Sequence, residues 1–125
     1  MNNSLAFVIE DDQAHADLFS EALQKSGFEV EIFVDGQAAL SRLADAIPSM
    51  VILDLHLPYV SGSDILAYIR SEARLVRTRV VLATADPHMA SFLRDKADLV
   101  LIKPISYFQL RDLAARLRDN DLSSF

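Results

Sequence analysis

The chain has 125 residues and a net charge of −6, with 51% hydrophobic residues, 24% charged residues and no cysteine. That length suits one domain with a buried core, and the lack of cysteine excludes disulfides and zinc–thiolate sites and fits a reducing compartment. The negative charge argues against non-specific nucleic-acid binding, and apolar runs of about five residues are far shorter than the roughly 20 that a membrane span needs.

The first apolar run, LAFVI at residues 5–9, predicts a buried β-strand. No basic stretch precedes it, so we expect no signal peptide and a cytoplasmic protein. A helix is predicted next, ending near Gly27, which suits a C-terminal cap. The expected apolar face of this helix comprises Ala14, Leu18, Ala22 and Leu23. The run VEIF at residues 30–33 alternates with acidic residues, which favours a strand nearer the edge of a sheet.

The pattern predicts a second helix that begins after Asp35 as N-cap and is stopped by Pro48. Its apolar stripe consists of Ala39, Leu40 and Leu43. The run MVIL at residues 50–53 predicts a third strand, covered on both faces. A third helix should then bury three side chains, Ile65, Leu66 and Ile69.

The runs VVLA at residues 80–83 and LVLI at residues 99–102 predict two more buried strands, separated by a short helix. That short helix is expected to bury Met89, Phe92 and Leu93. The last helix carries Leu110, Leu113, Ala114 and Leu117. Strand and helix thus alternate five times, which predicts an α/β fold with a parallel sheet and right-handed crossovers. We expect a single domain over residues 1–125, with its core at about 5–117 and a frayed tail at 118–125.

Polar or small residues follow four of the predicted strands. They are Glu10, Asp11 and Asp12 after the first, Asp54 after the third, Thr84 and Ala85 after the fourth, and Lys103 after the fifth. Because the carboxyl ends of parallel strands lie at one edge of a sheet, where α/β proteins bind ligands, we expect these side chains to meet. Each alone has an ordinary structural explanation, such as a helix cap for Asp12.

Three packed carboxylates repel one another, and one lysine is too little positive charge to balance them. A hard divalent cation such as Mg²⁺, with Mn²⁺ as a possible substitute, would supply the rest, since it prefers oxygen ligands. A hydroxyl and an ammonium beside that ion suit phosphoryl oxygens. The pattern therefore predicts a phosphoryl-transfer site in which an aspartate can itself accept the group.

The segments FVIEDD, VILDLHLP, VVLATAD and LVLIKPIS, in this order, resemble the receiver domain of two-component response regulators. The resemblance covers residues 5–117, nearly the whole chain. It implies a flavodoxin-like, doubly wound sheet of five parallel strands in the order 2-1-3-4-5, flanked by five helices. It also implies a histidine kinase or histidine phosphotransfer protein as phosphodonor, and a downstream protein partner on the surface of helix 4, strand 5 and helix 5.

For the acidic segments, the resemblance implies particular roles. Asp54 corresponds to the phosphoacceptor, and Glu10 and Asp11 correspond to the acidic pair that positions Mg²⁺ beside Asp54. The backbone carbonyl of His56 corresponds to a further metal ligand, and Gly62 to a glycine after the loop that follows strand three. The His56 side chain occupies a position that tunes the lifetime of the phosphorylated state, although a half-exposed histidine without a role fits equally well.

The later segments carry the remaining correspondences. Thr84 and Lys103 match the hydroxyl and the amine that contact the phosphoryl group, and Ala85 matches a small residue that leaves access to it. Asp86 occupies a second position that tunes the lifetime, and Pro104 matches a proline whose peptide bond is often cis.

The chain departs from the family pattern at three points. Val100 stands where many members carry an aromatic residue that turns inward during switching. The segment between Thr84 and Lys103 is shorter than usual, and Lys96 replaces a common glycine. These departures concern how a signal leaves the site more than phosphorylation itself.

Three functions fit the sequence. The first is a phosphorylation-controlled binding module, which catalyses only its own phosphorylation and dephosphorylation and does not contact nucleic acid. It could stand alone or come from a larger protein, and could form a homodimer. The second is a phosphatase of the haloacid-dehalogenase type, disfavoured because that chemistry needs an acid where His56 stands. The third is a pseudo-receiver that binds partners without regulation by phosphate, which Val100 keeps open.

Overall fold

The computed structural model describes residues 4–119, along which five strands and five helices alternate. The strands are β1 (Ser4–Ile9), β2 (Phe28–Phe33), β3 (Met50–Asp54), β4 (Arg79–Thr84) and β5 (Leu99–Ile102). The helices are α1 (Gln13–Lys25), α2 (Gly36–Leu43), α3 (Gly62–Ser71), α4 (Pro87–Leu93) and α5 (Tyr107–Arg118). The predicted frayed tail begins at residue 118, where α5 still continues, and its residues 120–125 lie outside the described range.

The strands form one parallel sheet in the order β2-β1-β3-β4-β5, which confirms the predicted fold class. The alternating β2 lies at an edge, as its sequence predicts. The register places Ile9 beside Leu53, and Asp54 beside Ala83. The strands therefore end at nearly the same level, and the residues after them share one edge of the sheet.

Two apolar layers cover the faces of the sheet, since successive side chains of a strand point to opposite faces. In β1, Ala6 and Val8 pack in the layer beneath α1 and α5, whereas Phe7 and Ile9 pack in the layer beneath α2, α3 and α4. Among residues 4–119, no helix is long and apolar enough to cross a membrane.

Two predicted helix faces need correction. In α1, Ala14 is exposed, and the residues that are buried in its place are Ala16 and Phe19, along with the predicted Ala22 and Leu23. Ala16, Phe19 and Leu23 share one face at i, i+3, i+7 spacing, and Ala14 lies about 200° around the helix axis from Ala16. In α4, Leu93 is buried but Phe92 is 74% exposed, because this helix has only 7 residues and covers little of the sheet.

The fifth strand also differs from its prediction. Its apolar run indicated burial on both faces, yet three of its residues are only half-buried and Ile102 is exposed. β5 is the second edge strand, and the short α4 leaves part of it open to solvent. Between α3 and α4 lies a cavity of about 550 Å³ lined in part by Leu66, Phe92 and Leu93.

Candidate functional site

Backbone hydrogen bonds hold the residues after the strands in line with the sheet. The N–H of Glu10 donates to the carbonyl of Phe33 at 3.0 Å, and the N–H of Lys103 donates to the carbonyl of Thr84 at 2.8 Å. Asp54 and Thr84 are themselves the last residues of β3 and β4. The sheet therefore brings the acids, the hydroxyl and the amine together at its carboxyl edge.

The acidic cluster consists of Glu10, Asp11 and Asp54, each of which offers one carboxylate oxygen within 4.8 Å of the others. Glu10 and Asp54 are buried, whereas Asp11 faces solvent. Opposite ligands of an octahedral Mg²⁺ lie about 4.2 Å apart, so these oxygens need only small movements to bind one ion. An all-oxygen set with an open, solvent-facing side suits Mg²⁺, which keeps several waters.

Lys103 supplies the positive charge inside the cluster. Its Nζ donates to Glu10 Oε1 at 2.8 Å and lies 3.7 Å from Asp54 Oδ1. Asp54 Oδ1 also accepts the backbone N–H of His56 at 3.2 Å. The amine is therefore bound chiefly to Glu10, yet it is close enough to Asp54 to contact a group added there.

The site alters the protonation of Glu10. Burial raises the pKa of Glu10 to about 7 from an ordinary 4.5; the hydrogen bond from Lys103 opposes this shift, and the nearby Asp54 adds to it. The carboxyl group is only 1% exposed, so water solvates its charge poorly. A cation bound beside it would favour the ionised form.

Thr84 is fully buried, and its hydroxyl has two neighbours. Thr84 Oγ1 accepts the backbone N–H of Asp86 at 3.0 Å and lies 3.4 Å from His56 Nε2. The Asp86 carboxylate in turn caps α4 by accepting the N–H groups of His88 and Met89. One hydroxyl thus connects the site to the first turn of α4.

Asp12 and His15 border the acidic cluster. The predicted cap is present, because Asp12 Oδ1 accepts the N–H of His15 at 3.0 Å, which lowers the pKa of the Asp12 carboxyl. His15, which the sequence analysis did not include among the site residues, lies with Nδ1 3.5 Å from Lys103 Nζ and 3.8 Å from Glu10 Oε1. Its place in the first turn of a helix that starts at the sheet edge is the signal that could have revealed this.

The remaining predicted residues lie at the same edge. Ala85 is small and exposed directly after β4, and the Lys103–Pro104 peptide bond is cis. Gly62 opens α3, and a Cβ atom there would lie 2.4 Å from the backbone oxygen of Asp54. The chain therefore passes too close behind Asp54 to admit a side chain at position 62.

Comparison with known proteins gives a consistent result. The family model described as "Response regulator receiver domain" matches residues 6–116. The "Probable methanogenesis regulatory protein FilR2" of Methanothrix harundinacea is 32% identical over 126 residues, covering 92% of this chain and 81% of that protein. The sensory transduction protein RegX3 of Mycobacterium bovis is 33% identical, covering 89% of this chain, which spans only 48% of that protein's length.

Solved structures agree on the fold. The chemotaxis response regulator CheY4 of Vibrio cholerae superposes with a TM-score of 0.83 at 23% identity, covering 93% of this chain and 99% of that one. The response regulator DrrB of Thermotoga maritima gives a TM-score of 0.83 at 26% identity, covering 96% of this chain and 54% of that one.

Proposed function

This chain belongs to the response regulator receiver domain family, and from that premise we propose that Asp54 accepts a phosphoryl group from a phosphohistidine on a partner protein. The observation that carries the proposal is the convergence of Glu10, Asp11 and Lys103 around Asp54, with Thr84 at the end of the neighbouring strand β4. The role is regulatory: the chain catalyses only its own phosphorylation and dephosphorylation, and its phosphorylated form binds a partner.

The transfer uses side chains of the cluster. A carboxylate oxygen of Asp54 attacks phosphorus, a P–O bond forms as the P–N bond breaks, and the imidazole nitrogen keeps the electron pair and takes a proton from water. The Lys103 ammonium and the Thr84 hydroxyl donate hydrogen bonds to phosphoryl oxygens. Water later attacks the same phosphorus, which releases inorganic phosphate and restores Asp54.

Mg²⁺ is the cofactor that this site fits, with Mn²⁺ as a substitute. Glu10, Asp11, Asp54 and the backbone carbonyl of His56 would hold it, and it would supply charge neutralisation for the phosphoryl oxygens. Ala85, being small and exposed, leaves access to the acyl phosphate.

The partners follow from the family. We propose that the chain acts in the cytoplasm, with a histidine kinase or histidine phosphotransfer protein as donor. An output partner or second copy would bind the surface of α4, β5 and α5, where Ile102 and Phe108 are exposed. With a net charge of −6, the receiver itself makes no direct contact with nucleic acid.

Labelling with acetyl phosphate tests the proposal. We expect the wild-type chain to gain one phosphoryl group by mass spectrometry in the presence of Mg²⁺ and none with excess EDTA. Asp54→Asn should remove the labelling, because an amide oxygen is a poor nucleophile, whereas Asp64→Asn, at an exposed acid of α3, should keep it. Undiminished labelling of Asp54→Asn would refute the assignment, and an unlabelled wild type would favour a pseudo-receiver.

A further inference from the structure

The loop between β3 and α3 presents an aromatic side chain on strained backbone. Tyr59 has a φ of 67°, in the left-handed region that residues with a side chain rarely adopt. The N–H of Val60 donates to the carbonyl of Pro58 at 2.8 Å and closes a γ-turn centred on Tyr59. A positive φ at the centre marks the rare, strained form of this turn rather than the common inverse form.

Contacts within the fold do not offset this strain. The Tyr59 ring is fully exposed, so it packs against nothing in residues 4–119 and buries no apolar area on folding. Glycine would adopt the same φ without strain and without exposing an aromatic ring. Compared with glycine, tyrosine at this position therefore adds backbone strain without adding burial, and strain that folding does not require is a reason to seek a function for the residue.

The loop holds the tyrosine at the edge of the phosphoacceptor site. The N–H of Leu55 donates to the carbonyl of Ala83, and the N–H of Gly62 donates to the carbonyl of Leu55, both at 3.3 Å, so both ends of the loop are fixed. Tyr59 follows Asp54 by five residues, so the Cα atoms of the two residues lie at most about 18 Å apart. A protein that brings a phosphohistidine to Asp54 must cover this edge, whereas an output partner on α4, β5 and α5 need not.

We propose that Tyr59 is a docking residue for the protein that donates the phosphoryl group, with its ring entering an apolar pocket beside the donor's phosphohistidine. Tyrosine is among the residues that contribute most to protein interfaces, because it buries a large ring and keeps a hydroxyl for the wet rim. This inference rests on the proposed function, since it names a contact of the same site. Small phosphodonors lack such a pocket and do not use Tyr59.

Two donors separate docking from chemistry. Phosphoimidazole carries the reacting P–N bond of phosphohistidine without any protein surface. The second donor is a phosphorylated histidine kinase core, chosen from a panel because it labels the wild-type chain. The variants are Tyr59→Gly, which removes the ring and the strain together, and Tyr59→Phe, which keeps the ring. Phe92→Ala serves as control, because Phe92 is another exposed aromatic residue, 74% accessible and near the far end of α4.

With the kinase core, we expect kcat/KM for labelling Tyr59→Gly to fall about tenfold or more, mainly because KM rises. A loss of this size is typical when an aromatic residue is removed from an interface. Tyr59→Phe and Phe92→Ala should stay within about threefold of wild type, and phosphoimidazole should label all four chains at similar rates.

An unchanged kcat/KM of Tyr59→Gly with the kinase core would overturn the inference. A parallel loss with phosphoimidazole would overturn it too, because the loop would then act on the chemistry rather than on docking. Thermal unfolding of Tyr59→Gly should occur at or above the wild-type temperature, which excludes misfolding as the cause. Failure of phosphoimidazole to label the wild-type chain would instead count against the proposed function.

Discussion

At the scale of single residues, the identities at the site could be predicted and their contacts could not. Asp54, Thr84 and Lys103 stand at strand ends, and the register of a parallel sheet brings such residues together whatever their rotamers. The distance of 3.4 Å between His56 Nε2 and Thr84 Oγ1 depends on side-chain torsion angles, which the sequence pattern does not determine. The strain at Tyr59 was equally hidden, since nothing in the sequence marks a positive φ there.

The position of His56 leads to a prediction about the lifetime of phosphorylated Asp54. The imidazole lies beside the buried Thr84 hydroxyl and is itself exposed, so it covers one approach to the site. We expect His56→Ala to speed dephosphorylation roughly fivefold. This is the change in rate that corresponds to the loss of one hydrogen bond worth about 1 kcal/mol. The decay of labelled chain after donor removal measures this, with His88→Ala, an exposed histidine of α4, as control. Equal decay of wild type and His56→Ala would show that the histidine has no such role.

At the scale of elements, strands and helices follow from periodicity, but the face that a helix buries depends on which of several apolar spacings packs against the sheet. Ala14 fits one such spacing of α1 and is nevertheless exposed, because Ala16, Phe19 and Leu23 form the face that packs on the sheet. The same holds for α4, where spacing alone could not show that so short a helix would leave Phe92 uncovered. The order of the strands and helices could thus be predicted from the sequence, whereas the rotation of each helix about its axis could not.

The start of α4 offers a route for the signal that does not need an aromatic residue at position 100. The Thr84 hydroxyl accepts the N–H of Asp86, whose carboxylate caps α4. If the hydroxyl turns to a phosphoryl oxygen, the N–H of Asp86 loses its acceptor and the cap is disturbed. Val100, a half-buried aliphatic residue of β5, can then remain in place.

Removing the Asp86 cap should leave the site able to bind a phosphoryl group while weakening the conformational response of α4. In the wild-type chain, Mg²⁺ with beryllofluoride, a phosphoryl mimic, should change amide hydrogen exchange in α4, and in Asp86→Ala that change should shrink. The cap loss itself should lower the free energy of unfolding by about 1 kcal/mol. Asp35→Ala removes an equivalent cap, that of α2, and should preserve the α4 response. An undiminished response in Asp86→Ala would exclude this route.

At the scale of the whole molecule, five alternations of strand and helix sufficed to predict the layers and the sheet. The sequence also indicated that the acids needed a counter-charge. It could not indicate that Glu10, rather than Asp54, would be the partner of Lys103, because that choice depends on a difference between 2.8 Å and 3.7 Å. Which carboxylate pairs with Lys103 is therefore set by the folded geometry and not by the order of the residues.

The raised pKa of Glu10 makes the stability of the folded chain depend on pH. The pKa of Glu10 is about 7 in the folded chain and ordinarily 4.5, so the folded state holds more protons between these values. The stability that protonated Glu10 contributes is complete below pH 4.5 and is lost as pH rises to about 7. Without metal, we expect the free energy of unfolding to fall over this window, by an amount on the order of 3 kcal/mol.

Urea unfolding at a series of pH values, with EDTA and with Mg²⁺, measures this dependence. The proposed Mg²⁺ would bind the ionised carboxylate and should therefore stabilise the chain more at pH 7 than at pH 5. Glu10→Gln, which cannot ionise, should flatten the metal-free profile between pH 4.5 and 7. If wild type and Glu10→Gln instead give parallel metal-free profiles, Glu10 is not the titrating group.

The close passage of the backbone at Gly62 bears on how the sequence of this loop can vary. A Cβ at this position would meet the backbone oxygen of Asp54 at 2.4 Å and the Cα of Leu55 at 2.7 Å, neither of which can rotate away. Position 62 therefore admits no substitution that leaves the backbone of Asp54 and Leu55 where it is. Tyr59, three residues earlier, packs against nothing in residues 4–119, so no packing contact of the fold requires a tyrosine there. If the proposed roles hold, Gly62 serves the reaction and Tyr59 serves the choice of donor, so that within this one loop the preferred partner could change while the reaction stays the same.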